Sequence, residues 1–439
     1  MLNLLSRLEK QWRGAIITTI IASLLIILLR LSGLLQLFEW KALDFFLVHR
    51  ASESPDERIV LVNLLEQDIQ SLQEYPLSDR VLATLLEKIK AQNPHVIGLD
   101  LFRDFPVPSI RNNRAANQQA YSNLLAIFRS TPNLIGIAKI TSSPSYPDVN
   151  PPQLLKELGQ VSAADLVVDA DGVVRRGNLF PLADGSAQSS IPSLGLSVAL
   201  NYLATKEIKP HSTKQGWLQL ENTVFLPFRA NSGGYIQTDD SGYQILLNWR
   251  SCQAPFPQVS VTEVLEDRIA KDLFHNQIVL VGNKAMSVKD IFFTPCSQGT
   301  GSTPATMPGV EVQAHLASQI ISAVLDGRPL LQVFSEPKEY FWLVSWIATT
   351  SIWGWKQRKI NDSGYLSLKI LAFTEVEAMV LTISSYLLFL QGWWIPLVPT
   401  LLGLGVAALL IIGCIYFTQL QEARENLETK LADRTEELE

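Results

Sequence analysis

Long runs of apolar residues occur near both ends of the chain, and shorter apolar runs fill the middle. A helix that crosses a bilayer needs about 20 apolar residues, with a lower limit of roughly 17. Four runs of this kind are predicted to be transmembrane helices: residues 15–37, 339–355, 369–390 and 392–418. No small-residue cleavage site follows the first run, so we predict an uncleaved anchor rather than a signal peptide.

Basic residues beside these runs predict how the chain crosses the membrane. Residues 1–14 contain three of them, and the loop between the second and third runs contains three more. An excess of Lys and Arg marks the cytoplasmic side. We therefore predict a multi-pass protein of the inner (plasma) membrane, with residues 38–338 outside the cytoplasm. The amino terminus and the final segment, 419–439, are predicted to lie inside.

The middle segment alternates β-rich runs with amphipathic helical stretches. The predicted strands are 58–65, 95–102, 133–140, 243–250 and 277–283. The predicted helices are 79–92, 114–130, 193–205 and 310–326. Nearly continuous Val, Ile and Leu is typical of strands that are buried on both faces. The pattern predicts an α/β domain with a mostly parallel or mixed sheet covered by helices.

Three charged residues interrupt the apolar runs. Arg30 falls late in the first run, where its long side chain is expected to reach the outer interface. Glu375 and Glu377 lie in the third run, and a carboxylate within the membrane is a candidate functional group. The alternative is that both carboxylates lie near the cytoplasmic headgroups, and the nearby polar loop favours this interpretation.

The carboxyl-terminal segment has the pattern of a helix that needs a partner. Its leucines recur at steps of seven, four and seven residues: Leu420, Leu427, Leu431 and Leu438. This spacing places them on one stripe of a helix, and a single exposed helix is marginal in water. We predict a coiled coil that forms a homodimer. The alternative is a solvated, partly frayed tail, because Arg424 and Arg434 fall on the same seam.

Composition and motifs exclude several classes of function. The chain has 439 residues and a net charge of −6, and no basic stretch is long enough to bind nucleic acid. The five histidines are scattered, and no nucleophile elbow or phosphate-binding glycine loop occurs. The sequence therefore predicts no catalytic site, no cofactor and no metal site.

Two further patterns have alternative interpretations. Asp169-Ala170-Asp171-Gly172 lacks the further ligands of a calcium loop and is interpreted as a tight turn. Cys252 and Cys296 would both lie outside the cytoplasm, where a disulfide is allowed. Because the sequence gives no distance between them, two free buried thiols are the favoured interpretation.

Polar residues that follow the predicted strands are candidates for a ligand site. In open α/β sheets the carboxyl ends of the strands form the usual binding crevice. The candidates are Asp100, Arg103, Asp104, Asn283, Lys284, Asp290 and Thr294. Salt bridges or loop caps are the alternative roles for each of these side chains.

Several motifs together resemble a known family. Among them are PHVIGLDLFRD (94–104), DADGVVRR (169–176), FHNQIVLVG (274–282), KDIFFTP (289–295) and GVEVQAH (309–315). Their order and spacing are similar to the cyclase- and histidine-kinase-associated sensing extracellular domains of the second type, as found in cyanobacterial transmembrane sensors. The resemblance covers about residues 40–335 and extends to the following apolar runs.

The resemblance implies a receptor that senses a small ligand or a stress outside the cytoplasm. Signal transduction in such proteins passes through membrane helices to a cytoplasmic output, such as the histidine kinase of a two-component system or a nucleotide cyclase. No output domain occurs in this sequence, so the output is expected from a kinase or cyclase partner in trans or from a continuation of the chain. The alternatives are an extracytoplasmic enzyme that uses Asp100 or Asp290 as an acid or base, and a membrane scaffold subunit.

Overall fold

The structure is a computed structural model that describes residues 2–109, 111–140, 148–182, 191–253, 255–298, 305–360 and 362–436. The chain divides into two compact units. The membrane-helix unit comprises Met1–Phe46, Ala230–Thr238 and Gln332–Glu439. The sheet unit comprises Leu47–Arg229 and Asp239–Leu331.

Helices occur in both units. Within the described ranges they are α1 Leu2–Leu31, α2 Gln36–His49, α3 Glu66–Leu72, α4 Asp79–Ala91, α5 Arg114–Arg129, α6 Gln153–Glu157, α7 Leu194–Ala204, α8 Val261–Leu265, α9 Gly309–Leu325, α10 Glu336–Lys356, α11 Ser363–Leu390 and α12 Val398–Glu436.

Strands are mostly short. In the same ranges they are β1 Ile59–Leu64, β2 Val96–Asp100, β3 Leu134–Ala138, β4 Val161–Ala163, β5 Arg176–Phe180, β6 Pro210–Ser212, β7 Leu218–Leu220, β8 Thr223–Val224, β9 Tyr243–Leu246, β10 Gln258–Ser260, β11 Ile278–Asn283, β12 Ile291–Phe292, β13 Met307–Pro308, β14 Gln332–Val333 and β15 Trp393–Trp394.

A parallel sheet forms the centre of the sheet unit. Its six strands follow the order β10-β1-β11-β2-β3-β4, and every neighbouring pair is parallel. β1, β2 and β3 are buried along their whole length. This confirms the predicted α/β class, since strands that are covered on both faces need apolar side chains at nearly every position.

Helices cover both faces of the sheet. On one face Val62, Leu99 and Val281 pack with residues of α4, α5 and α8 in a single apolar cluster. On the other face α7 and α9 approach the strands so closely that only glycine fits. A Cβ atom at Gly98 would lie 3.2 Å from Leu194 Cδ1 of α7, and one at Gly282 would lie 2.4 Å from Val310 Cβ of α9.

Side-chain caps fix where the covering helices begin. Ser78, Asn113 and Ser193 each accept a hydrogen bond from the backbone amide three residues later. Such caps satisfy amide groups that would otherwise lack a partner in the first turn. The four helices predicted for the middle segment are confirmed by α4, α5, α7 and α9 to within one residue at each end.

One predicted strand lies outside the central sheet. Tyr243–Leu246 forms β9, but it pairs antiparallel with β5 outside the six-stranded sheet. Two short strands take part in the central sheet instead, β4 and β10. A short apolar run indicates burial and does not specify its pairing partner, and three-residue strands are too short to show a pattern.

The Asp-Gly segment forms the predicted turn. Gly172 has a φ of +83°, and its amide donates to the carbonyl of Asp169 at 2.8 Å. The carboxylate of Asp169 accepts from Arg175 at 3.0 Å, and that of Asp171 accepts from the same guanidinium at 2.7 Å. Both acidic groups therefore have basic partners within the segment itself.

The two cysteines of the sheet unit are bonded to each other, so the interpretation as two free thiols was wrong. Cys252 and Cys296 form a disulfide across a sequence separation of 44 residues, with their Cα atoms 5.2 Å apart. Cys252 lies after β9 and Cys296 lies after β12, two strands that are distant in sequence. Only the folded chain brings them within bonding distance.

In the membrane-helix unit, two helices rather than the predicted four are long and apolar enough to cross a membrane within the described residues. They are Trp12–Leu31 and Val398–Arg434. α10 and α11 stand where the second and third spans were predicted. The first predicted run, 15–37, is divided by a turn at Gly33, whose φ is +78°. The last predicted run, 392–418, contains β15 before α12 begins.

Arg30 has a buried acidic partner, and its predicted reach to the outer interface stays a prediction. It is only 5% exposed, pairs with the buried carboxylate of Glu339, and donates to the carbonyl of Gly233 at 2.9 Å. Arg30 lies on α1 and Glu339 on α10. A buried charge needs a partner of opposite sign, and α10 supplies it.

The two glutamates of the third predicted span have different surroundings. Glu375 is exposed, whereas Glu377 is buried and accepts hydrogen bonds from Thr349 and Thr350 of α10. Glu377 is therefore part of the packing between α10 and α11. The interpretation that both carboxylates lie near the cytoplasmic headgroups stays a prediction.

The carboxyl-terminal helix is continuous with the last apolar helix. α12 extends to Glu436, and Leu420, Leu427 and Leu431 are 70%, 61% and 66% exposed. Leu438, the last leucine of the predicted stripe, lies outside the described residues. The helical conformation is confirmed, and the coiled-coil pairing stays a prediction.

Candidate functional site

A cavity of about 850 Å³ opens at the carboxyl end of the parallel sheet. Its wall includes the ends of β2 and β11 and the residues that follow β3 and β4. The residues that line it include Tyr75, Asp100, Phe102, Asn283, Asp290 and Phe292. All of them belong to the sheet unit.

Sheet topology explains why a crevice exists here. Neighbouring strands β2 and β11 end at Asp100 and Asn283, and Asp100 pairs with Gly282 in the register. The helix after β2, α5, covers one face of the sheet, whereas the helix after β11, α9, covers the other. Connections that diverge to opposite faces leave a gap at the strand ends, which is the common ligand site of open α/β sheets.

Asp290 reaches the cavity from the loop between β11 and β12. A short 3-10 turn, Met286–Val288, is followed by Lys289 in the left-handed region with a φ of +60°. The carbonyl of Asp290 accepts from the amide of Gly309 at 3.2 Å. A Cβ atom at Gly309 would lie only 3.0 Å from Asp290 Oδ1, so the absence of a side chain there leaves room for the carboxylate.

The two aspartates of the cavity have raised pKa values and no basic partner in the described part of the chain. Asp100 is 8% exposed, and burial together with the nearby carboxylate of Asp290 raises its pKa well above the ordinary value. Burial also raises the pKa of Asp290. In the described part of the chain, neither side chain has a hydrogen bond or an ion pair. A carboxylate pair of this kind needs either a proton or a cation from outside.

Two neighbouring polar side chains complete this part of the wall. Asn283 Oδ1 is buried and accepts no hydrogen bond from the residues that the structure describes. The pKa of Tyr75 is raised, mainly by burial and then by Asp290, against a lowering effect of Arg103. Tyr75 therefore lies within electrostatic range of both Asp290 and Arg103.

Arg103 and Asp104 are not in this cavity. With Asn283 they line a smaller one of about 210 Å³ that shares part of its wall with the larger. The Arg103 guanidinium is buried and donates to the carbonyl of Leu77, and burial lowers its pKa. Asp104 is exposed. The sequence correctly placed both residues after β2, but the chain turns away from the main cavity after Phe102.

Lys284 and Thr294 line neither of these two cavities. Lys284 Nζ donates to Gln258 Oε1 at 2.7 Å and lies 4.0 Å from a carboxylate oxygen of Glu311. Thr294 is buried next to the disulfide, and its amide donates to Ser297 Oγ at 2.9 Å. Of the seven predicted candidates, the structure brings together Asp100, Asn283 and Asp290.

Several residues of the cavity wall were not among the candidates predicted from the sequence. Tyr75, Lys139, Asp165, Phe292 and Gly309 come from five separate segments. Asp290, Phe292 and Gly309 lie within motifs that carry the family resemblance, which was the available signal. Tyr75 lies in a loop without periodicity. Lys139 falls within the predicted strand 133–140, and an apolar run does not show which of its ends faces a cavity.

Comparison with known families gives one match. The family model of the CHASE2 domain matches residues 21–352, which include the whole sheet unit and parts of α1 and α10. The match confirms the resemblance that the motifs indicated. No curated protein and no solved structure matches the chain.

Proposed function

Because the chain belongs to the CHASE2 domain family, a family of sensory domains of signalling proteins, we propose that it is a transmembrane receptor for a small extracytoplasmic ligand. The observation that carries this proposal is the cavity at the strand ends of the sheet unit. It combines a volume of about 850 Å³ with the buried Asp100 and the half-buried Asp290, which have no hydrogen-bond or ion-pair partner among the described residues. Such convergence of unsatisfied polar groups in a crevice is typical of a ligand site.

The proposed topology has four crossings, with the sheet unit outside the plasma membrane and both ends of the chain inside. Two helices are long and apolar enough to cross by themselves. The disulfide between Cys252 and Cys296 supports an extracytoplasmic sheet unit, since disulfides persist in oxidising compartments and are rare in the cytosol.

Labelling with a membrane-impermeant maleimide tests this topology. In a Cys414→Ser background, cysteine is introduced at two exposed positions, as Asp104→Cys in the sheet unit and as Lys359→Cys between α10 and α11. In intact spheroplasts we expect label on Asp104→Cys alone, and after lysis we expect label on both variants. Label on Lys359→Cys before lysis, or protection of Asp104→Cys, would refute the receptor proposal.

Signalling requires that the ligand distinguishes two arrangements of the helices. A ligand shifts a conformational equilibrium only by its difference in affinity between the states. In this proposal, occupation of the cavity changes how α1 and α10 pack with α12, the helix that continues towards the proposed cytoplasmic side. A histidine kinase or nucleotide cyclase, either in trans or attached to the same chain, would respond to this change.

Dimerisation through α12 is the second part of the proposal. The exposed Leu420, Leu427 and Leu431 lie on one stripe and would be buried against the same stripe of a second copy. Disulfide crosslinking of Leu427→Cys in membranes is expected to yield dimers. The control is Glu425→Cys, two positions away on the opposite side of the helix, which is expected to crosslink poorly. Equal crosslinking of both variants, or none of either, would contradict the dimer.

We propose that the chain itself is not an enzyme. The pair of Asp100 and Asp290 is the one feature that favours the alternative of an extracytoplasmic hydrolase, because coupled carboxylates serve as acid and base in some enzymes. The two hypotheses differ in the fate of a bound compound. A receptor returns it unchanged, as mass spectrometry of the recovered ligand would show, whereas a hydrolase converts it.

A further inference from the structure

Three oxygen acceptors converge on the cavity from two neighbouring strands and one loop. They belong to the carboxylates of Asp100 and Asp290 and to the side-chain amide of Asn283. Asp100 and Asn283 stand at the ends of adjacent strands, β2 and β11. For none of these three groups does the described structure supply a hydrogen-bond donor.

Within the described residues, no basic side chain pairs with the carboxyl groups of Asp100 and Asp290. Lys139 and Lys289 also lie on the cavity wall, but in the ranges that the structure describes neither donates to Asp100 or Asp290. Asp100 is nine-tenths buried, so solvent screens its charge poorly. A cation that enters the cavity would therefore be attracted to this place.

The cavity is built for an organic cation rather than for a bare metal ion. Calcium takes six to eight oxygen ligands, and the described residues contain no group of three or more acidic, His or Cys side chains that could hold a metal. The wall is also partly aromatic, with Tyr75, Phe102 and Phe292. Aromatic faces and a volume of about 850 Å³ suit a small organic molecule.

We propose that the sheet unit binds a small primary amine, whose ammonium group donates its three hydrogen bonds to Asp100, Asp290 and Asn283. A primary ammonium has three N–H donors and no acceptor, which matches three acceptors without donors. Its apolar portion packs against the aromatic wall. This inference rests on the proposed function, because it names the class of ligand that the receptor senses.

Binding is tested on the full chain in detergent, with phenethylammonium as the probe and thermal unfolding as the readout. Phenethyl alcohol is the matched neutral compound, since a hydroxyl replaces the ammonium. We expect saturable stabilisation by the amine at millimolar concentration and none by the alcohol. Asp100→Asn and Asp290→Asn are each expected to weaken the amine about tenfold or more, because a charged hydrogen bond is lost.

Asp104→Asn is the matched control variant. It removes the same charge from an exposed position in the loop after the same strand, outside the main cavity. It should bind phenethylammonium like the unchanged protein. Trimethylation of the probe's nitrogen removes all three donors and should weaken binding about tenfold, which separates hydrogen bonding from purely aromatic recognition of the cation.

Three results would overturn the proposal. They are no stabilisation by phenethylammonium, equal stabilisation of Asp100→Asn, and binding of the trimethylated probe as tightly as the parent amine. The maleimide topology test is independent of all three. If amine binding fails while the topology holds, the receptor senses another class of ligand. If the amine binds while the topology fails, the sheet unit is an amine-binding domain without the proposed receptor arrangement.

Discussion

The carboxylate of Asp290 lies close enough to that of Asp100 to raise its pKa, and both side chains face the same cavity. One ends a strand of the parallel sheet, and the other follows a left-handed turn in a distant loop. The folded sheet unit thus holds two carboxyl groups together, although burial and the nearby Asp290 both disfavour the ionised form of Asp100.

Replacement of Asp100 by Asn should stabilise the sheet unit at neutral pH. The pKa of Asp100 is higher in the folded than in the unfolded chain, so ionisation opposes folding. The protonated side chain stabilises the folded state fully below the ordinary Asp pKa. This stabilisation is lost as the pH rises through the pKa of Asp100 in the folded chain. Asp100→Asn should therefore raise the free energy of unfolding at pH 7.

Denaturant unfolding at several pH values checks this prediction. The difference between Asp100→Asn and the unchanged protein should shrink as the pH falls below the ordinary Asp pKa of about 3.9, where the aspartate is protonated in both states. The other charged or titratable groups on the cavity wall are Tyr75, Lys139, Asp165, Lys289 and Asp290, and they are the same in both proteins. Asp104→Asn is the control at an exposed position and should change the free energy of unfolding at pH 7 by no more than about 0.5 kcal/mol. A destabilised Asp100→Asn at pH 7 would contradict the unpartnered state of this carboxylate.

Gly282→Ala should destabilise the sheet unit. The added Cβ would lie 2.4 Å from Val310 Cβ on α9, which is far inside van der Waals contact. Overpacking of this kind typically costs about 1–3 kcal/mol. Gly405→Ala on α12 is the control, because no atom lies within 4 Å of its added Cβ. Thermal unfolding of the two variants should differ clearly, and equal melting temperatures would disprove the close approach of α9 to β11.

Loss of one member of the Arg30–Glu339 pair should destabilise the membrane-helix unit strongly. Both side chains are buried, so Glu339→Gln leaves the guanidinium without its counter-charge. The expected cost is about 3–5 kcal/mol. The double variant Arg30→Met with Glu339→Met should recover much of this loss, since neither charge is then buried. Protease resistance of the full chain in detergent measures both, and a Glu339→Gln variant as resistant as the parent would argue against the pair.

Glu377 and Glu375 should respond differently to the same substitution. Glu377→Ala leaves the hydroxyl of Thr350 without its carboxylate acceptor between α10 and α11, with an expected cost of about 1–3 kcal/mol. Glu375 is exposed in the structure, so Glu375→Ala should change stability by no more than about 0.5 kcal/mol. Thermal unfolding in detergent compares them. A larger effect at Glu375 would contradict the burial of Glu377 between α10 and α11.

Reduction of the disulfide should lower the stability of the sheet unit. The bond closes a loop with a sequence separation of 44 residues. Chain-entropy arguments give about 3–4 kcal/mol for a loop of this length. Dithiothreitol should therefore lower the melting temperature of the parent protein but not that of the double variant Cys252→Ser with Cys296→Ser. Equal sensitivity of both proteins to the reductant would contradict this bond.

The hydrophobic pattern by itself determined the longer buried strands and the amphipathic helices of the sheet unit. Buried strands such as Ile59–Leu64 and amphipathic helices such as Asp79–Ala91 carry their own periodicity, and Ser78 marks a helix start locally. The family resemblance likewise depends on short motifs that are visible in the sequence. These features are encoded by neighbouring residues, so they can be predicted without the fold.

Pairing between distant residues was decided only by the tertiary structure. The partner of β9, the bond between Cys252 and Cys296, and the contact of Arg30 with Glu339 all join segments far apart in the chain. The cavity depends on the same kind of contact, since Asp100 and Asn283 meet through strand order while Arg103 turns away. Local sequence sets the conformation of each segment, but the distance between two segments follows from how all their buried surfaces pack together.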